Sequence, residues 1–246
     1  MSARFRPEKA ILELDGRFHT AVDPADFAQH VTRWRNQRWA EQVGLGALSE
    51  VEWIEHFGKF APLEGSLPKP LALAYHGHQF QVYNPQIGDG RGFLFAQLRD
   101  GQDRLLDLGT KGSGQTPWSR TGDGRLTLKG GVREIMAAGM LEALGVYTSK
   151  AFSLIETGEQ LHRHDEPSPT RSSVLVRLSH SHIRFGTFQR QAYAGDADAI
   201  GKLVEYCIRH YHPTAAGPDM AVSAAGLLRE VVAATAELAA SWMSRS

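Results

Sequence analysis

Lys111 ends the alternating run Leu105-Leu106-Asp107-Leu108-Gly109-Thr110-Lys111, and Glu134 follows 23 positions later on a stretch with helical spacing. A lysine on a strand presents a point charge on a long stem, suited to a phosphate oxygen. Glu134 shares its helical face with Ala138 and Leu141, so its carboxylate wants a cationic partner. Lys111 is one candidate; Arg125 and Arg133 are the others. Upstream, Gly88-Asp89-Gly90-Arg91-Gly92 lies between two apolar runs. Such a turn either closes a hairpin or lets backbone N–H groups approach an anion. The order of glycine turn, strand lysine and helix glutamate favours a polyphosphate ligand.

The charges nearby agree. Between Lys111 and Glu134 the chain carries Lys111, Arg120, Arg125, Lys129 and Arg133 against Asp123 and Glu134, five positive groups to two negative. The glycine turn recurs here as Gly122-Asp123-Gly124-Arg125. Arg177 and Arg184 lie seven apart, and guanidinium forks suit phosphate oxygens. A solvated charged loop and surface arginines are the plain alternatives.

Other chemistry finds less support. Eight of the 11 histidines form H-x-H pairs: His76/His78, His162/His164, His180/His182 and His210/His212. One pair on a strand could grip a transition metal, but these are scattered over different segments and no HExxH or CxxC spacing accompanies them. No metal site is expected within this chain. There is no GxSxG elbow, and the single Cys207 sits in the apolar stretch Leu203-Val204-Glu205-Tyr206-Cys207-Ile208. One cysteine allows no intrachain disulfide and fits a reducing, cytoplasmic setting.

The elements that must position these groups fall into three segments. Residues 1–68 read as a helical, aromatic-rich N-terminal extension with Trp34, Trp39, Trp53, Phe57 and Phe60. Residues 69–190 read as short strands with glycine turns, interrupted by one helix over Val132–Leu144 that Gly145 stops. Residues 191–246 read as helices broken between Pro213 and Pro218. Equal numbers of Lys+Arg and Asp+Glu, 27 each, argue against a nucleic-acid or acidic-membrane partner. The sequence contains no run of transmembrane length.

The wording of the motifs resembles the selenoprotein O family of kinase-like protein adenylyltransferases. The matching text is Tyr75-His76-Gly77-His78-Gln79-Phe80, then Gln86-Ile87-Gly88-Asp89-Gly90-Arg91-Gly92, Lys111-Gly112-Ser113-Gly114-Gln115-Thr116-Pro117-Trp118-Ser119-Arg120, Gly122-Asp123-Gly124-Arg125, Val132-Arg133-Glu134 and Arg177 through Phe185. The resemblance implies an α+β fold: a protein-kinase-like N-lobe of antiparallel sheet plus one helix, preceded by the helical extension and followed by the first helices of a truncated C-lobe. It implies transfer of AMP from ATP to Ser, Thr or Tyr of protein substrates, with Mg²⁺ or Mn²⁺ and with ATP in a flipped orientation. Residue by residue, it assigns nucleotide contacts to Gly88, Gly90, Arg91, Asp123, Gly124, Arg177 and Arg184. It assigns the phosphates to Lys111 and the support of Lys111 to Glu134.

The C-terminal part departs from that pattern. After Arg184 the acidic residues are Asp196, Asp198, Glu205, Asp219, Glu230 and Glu237, none in the context of a catalytic Asp or a metal-binding Asn or Asp. The expectation is a chain matching the first half of a family member, with the ATP cradle but without the base and metal ligands, and inactive alone. The alternative is a non-catalytic nucleotide-binding or interaction module. Leu228, Val231, Leu238 and Trp242, with Thr235 between them, form one stripe of the last helix, through which self-association is expected.

Overall fold

The computed structural model describes residues 4–244. Eleven strands and six α-helices are formed among them. The strands are β1 (Pro7–Glu8), β2 (His19–Ala21), β3 (Val31–Arg35), β4 (Leu71–Leu73), β5 (Gly77–Gln79), β6 (Val82–Asn84), β7 (Leu94–Arg99), β8 (Leu105–Lys111), β9 (Leu126–Thr127), β10 (Lys150–Leu161) and β11 (Thr170–Ser179). The helices are α1 (Gln37–Gln42), α2 (Glu50–Phe57), α3 (Leu128–Ala143), α4 (Phe185–Tyr193), α5 (Ala197–His210) and α6 (Met220–Met243). The fold is α+β, built on one nine-stranded antiparallel sheet in the order β2-β4-β7-β8-β11-β10-β3, with β1 on β7 and β9 on β11. The hairpin β5–β6 stands apart from it.

Alternation along β8 and β11 decides which residues face the site. Leu108 pairs with Leu178 and Thr110 with Val176, while Gly109 pairs with Arg177 and Lys111 with Leu175. Cross-strand partners share a face. On one face, Leu106, Leu108, Val174, Val176 and Leu178 join an aromatic core of Trp53, Phe57, Phe60, Phe93, Phe95 and Phe152. The rings of Trp53 and Phe152 stack at 5.2 Å, and the Trp53 indole N–H donates to Ser153 Oγ at 2.9 Å. On the opposite face, α3 lays Leu128 and Ile135 against Leu126, Leu154 and Leu175. Further along that side, α5 buries Leu203, Val204 and Cys207 against Leu71, Leu73, Leu94 and Leu105. Cys207 is thus a core residue, and burial pushes its thiol up to about 12.

The first 68 residues differ from the expected helical extension. Their two helices do form, and α2 starts at a capping box in which Ser49 and Glu52 bond reciprocally. Yet β1, β2 and β3 from the same segment join the main sheet. β3 is Val-Thr-Arg-Trp-Arg on the sheet edge, where it pairs with β10 and Arg33 meets Glu156. Its charged side chains hide the apolar alternation by which a buried strand is read. The boundary near residue 190 also falls inside α4, because the sheet strands already end at Ser179.

Candidate functional site

A cleft of about 160 Å³ opens where the sheet face carrying Lys111 meets the glycine turn and the chain leaving β11. Gly90, Arg91, Lys111, Arg177 and Arg184 line it, together with Tyr75, Asp89 and His182. Glu134 stands just behind. Lys111 Nζ donates to Glu134 Oε1, and Arg177 Nη1 lies 3.5 Å from Glu134 Oε2. Arg177 Nε is buried with no hydrogen-bond partner among the described residues. Arg91 makes no ion pair among them and is exposed at the rim. Arg184 stacks its guanidinium 4.7 Å over the Tyr75 ring, with Nη2 3.7 Å from Asp89. Burial raises the Asp89 carboxyl above its ordinary range, while Arg184 pulls it down.

The glycine turn is held from both sides. Asp89 accepts the Leu73 N–H at 3.0 Å, and its own N–H donates to Leu73 O at 3.1 Å. Ser119 Oγ donates to Gly90 O at 2.6 Å, and Thr116 Oγ1 donates to Asp89 O. Gly88 packs on the Trp118 ring so closely that a Cβ would meet it at 2.3 Å. At Gly92 a Cβ would stand 2.1 Å from Thr110 O. Only glycine lets the turn lie this near β8.

The sequence-derived residues therefore divide. Gly90, Arg91, Lys111, Arg177 and Arg184 come together with Glu134 at one cleft. Gly88 supports the turn from beneath, against Trp118. Asp123 and Gly124 lie in the neighbouring loop and do not line this cleft. Asp123 pairs with Arg163 at 2.8 Å, and Gly124 adopts φ +70° against the backbone of Gly114. The loop still reaches the cleft residues through Gly112, whose N–H donates to Arg91 O at 2.7 Å.

Tyr75, His182 and the Asp107 beneath His182 join the site although the sequence motifs assign them no role in it. The signal for His182 lies in Gly109, since a glycine inside a strand marks a close approach. The imidazole of His182 fills that space: a Cβ on Gly109 would meet His182 Nε2 at 2.0 Å. Other histidines of the H-x-H pairs have partners of their own. His76 bonds Tyr83 at 2.7 Å, His210 meets Glu13 and His212 meets Glu230, each at 2.9 Å. Among the described residues no group of three His, Cys, Asp or Glu side chains could hold a metal ion, and no helix is long and apolar enough to cross a membrane.

A family model described as protein adenylyltransferase SelO matches residues 2–246. The chain is 49% identical over 240 residues to a protein nucleotidyltransferase YdiU of Synechocystis, covering 96% of this chain and 50% of that protein. With the YdiU protein of Gloeobacter violaceus the identity is 51% over 240 residues, covering 96% and 48%. With that of Alkalilimnicola ehrlichii it is 38% over 240 residues, covering 96% and 47%. The chain spans about half the length of the curated relatives it matches.

Proposed function

Because the chain belongs to the protein adenylyltransferase SelO family, we propose that its cleft holds ATP for transfer of AMP to a Ser, Thr or Tyr hydroxyl of a protein. The observation that carries this reading is the convergence of Arg91, Lys111, Arg177 and Arg184 on one small cleft, with Lys111 held by Glu134. Four cations around about 160 Å³ suit a triphosphate better than any neutral ligand. The Lys111 ammonium keeps N–H donors that Glu134 does not use, and the buried Arg177 Nε has no acceptor of its own among the described residues. The glycine turn brings backbone to the same anion. The lysine on a sheet strand and its glutamate on the packed helix support reading this part as a kinase-like N-lobe.

Mg²⁺ or Mn²⁺ would neutralise the reacting phosphates in such a transfer. The acidic groups at this cleft do not fit that role, since Asp89 faces Arg184 and Glu134 is engaged by Lys111 and Arg177. Farther along, Asp196 and Asp198 pair with Arg17, and Glu230 with His212. The reading therefore gives residues 4–244 the work of binding and orienting ATP, and assigns them neither the base nor a metal ligand. The chain by itself is expected to bind ATP without transferring AMP.

A ladder of adenosine, AMP, ADP and ATP titrated into the chain tests this. Affinity should rise with each phosphate, and α-labelled ATP should leave no label on acceptor proteins. An affinity indifferent to phosphate number would overturn the phosphate assignment. Label transfer by the chain alone would overturn the division of labour.

A further inference from the structure

His182 is built into the cleft by a buried network. Asp107 is 1% exposed and lies beneath the cleft floor on β8. Its Oδ2 accepts the His182 backbone N–H at 2.8 Å and faces His182 Nδ1 at 3.1 Å. Its Oδ1 accepts Gln97 Nε2 at 2.8 Å, and Gln97 Oε1 in turn accepts the Ile11 N–H at 2.7 Å. Every partner of that carboxylate is a donor, so His182 Nδ1 carries the proton. Nε2 is left as the ring's other edge, without a hydrogen-bond partner among the described residues.

His182 lines the cleft together with the cations. The ring lies over Gly109, whose ladder partner is Arg177 and whose same-face neighbour two positions on is Lys111. Arg184, Asp89 and Tyr75 complete the cleft wall around it. Behind Asp107 stand Tyr206 of α5 and Tyr211 just beyond it, both phenols raised by burial and so neutral. An anionic oxygen drawn in by Lys111, Arg177 and Arg184 meets the imidazole edge. An unprotonated Nε2 would oppose that oxygen lone pair to lone pair, whereas a protonated one donates to it.

We propose that His182 is a fifth anion-binding side chain of this cleft, donating Nε2–H to a phosphate oxygen of the nucleotide and taking up a proton from solvent as the nucleotide binds. The inference rests on the nucleotide reading above. It adds a residue, a tautomer and a proton to it. Asp107 acts through His182 as a positioning residue.

The test is calorimetric titration of ATP and of adenosine into the 246-residue chain near neutral pH, each in two buffers of different ionisation heat. Wild type should take up protons with ATP beyond what His182→Gln takes up, which removes the contribution of ATP's own ionisation. His182→Gln should lose about tenfold in ATP affinity, the scale of one charge-assisted hydrogen bond, and keep its adenosine affinity. Asp107→Asn retains the imidazole and should shift ATP affinity and proton uptake in the same direction, so the outcome does not depend on one variant folding. Equal proton uptake in wild type and both variants would overturn the proposal. So would equal losses for ATP and adenosine, or a ribose-type contact without proton uptake. Lys111→Ala separates the two failures. ATP binding weakened by Lys111→Ala but not by His182→Gln defeats this inference alone, and unchanged binding in both defeats the nucleotide reading itself.

Discussion

Lys111 and Arg177 share one carboxylate: Glu134 accepts Lys111 Nζ on Oε1 and faces Arg177 Nη1 at 3.5 Å on Oε2. The two cations come from adjacent strands, β8 and β11, and the carboxylate from the helix packed on them. Glu134 thus spaces two like charges that would otherwise repel. If that is its role, Glu134→Ala loosens Lys111 without removing a phosphate contact. ATP affinity should fall less for Glu134→Ala than for Lys111→Ala. The double variant should lose less than the sum of the two single losses, because part of the support of Glu134 acts through the lysine and the rest through Arg177. Additive losses in this cycle would show that Glu134 acts independently.

The glycine turn gives a prediction on packing. Gly92→Ala places a methyl 2.1 Å from Thr110 O, so turn or strand must shift. The expected cost is about 1–3 kcal/mol of folding stability, with weaker ATP binding alongside. Gly101→Ala is the control, since nothing lies within 4 Å of its added Cβ. Thermal melts of the two variants should differ clearly, with Gly101→Ala close to wild type.

The last helix gives a prediction on association. α6 buries Leu227 and lays Ala224 and Val231 against the α5 core. Leu228, Leu238 and Trp242 remain 60%, 40% and 56% exposed. Burying one such side chain contributes about 1.5–3 kcal/mol, so an uncovered stripe favours a second surface. The chain should self-associate as concentration rises, and Leu238→Lys with Trp242→Lys should restore the monomer. Light scattering over a concentration series reads this directly. A wild-type monomer throughout that range would refute it.

Acid sensitivity follows from the sheet edge. Arg171 first, and then Arg33, hold the Glu156 carboxyl down from 4.5 to about 2. Both guanidinium groups hydrogen-bond it at 2.6 Å, tying β3, β10 and β11 together. A lowered carboxyl contributes stability that is present above its unfolded value and is lost as pH falls through the folded one. Wild type should therefore lose stability between pH 4.5 and about 2 more steeply than Glu156→Gln. Denaturant melts at stepped pH would show it, and parallel curves would contradict it.

The parts of the fold legible in the sequence were those with local signals. The run ending at Lys111 alternates, the helix bearing Glu134 has its apolar period and its stopping Gly145, and α5 and α6 fall on either side of Pro213. β3 was not legible because an edge strand with Arg33 and Arg35 on it carries little apolar alternation. Asp107 and His182 were not legible because they lie 75 residues apart and meet only once β8 and β11 are paired. The histidine pairs drew attention to spacing, whereas the informative feature of His182 is the missing side chain of Gly109 under its ring.

Titration of ATP into wild type, Lys111→Ala and Arg184→Ala tests the central claim most directly. On the proposed assignment each substitution removes a charge-assisted phosphate contact, and each should weaken binding by roughly 1–3 kcal/mol. Wild-type binding with both losses is the predicted result. No measurable ATP binding by wild type, or the same affinity in all three proteins, would contradict the assignment of this cleft to a nucleotide.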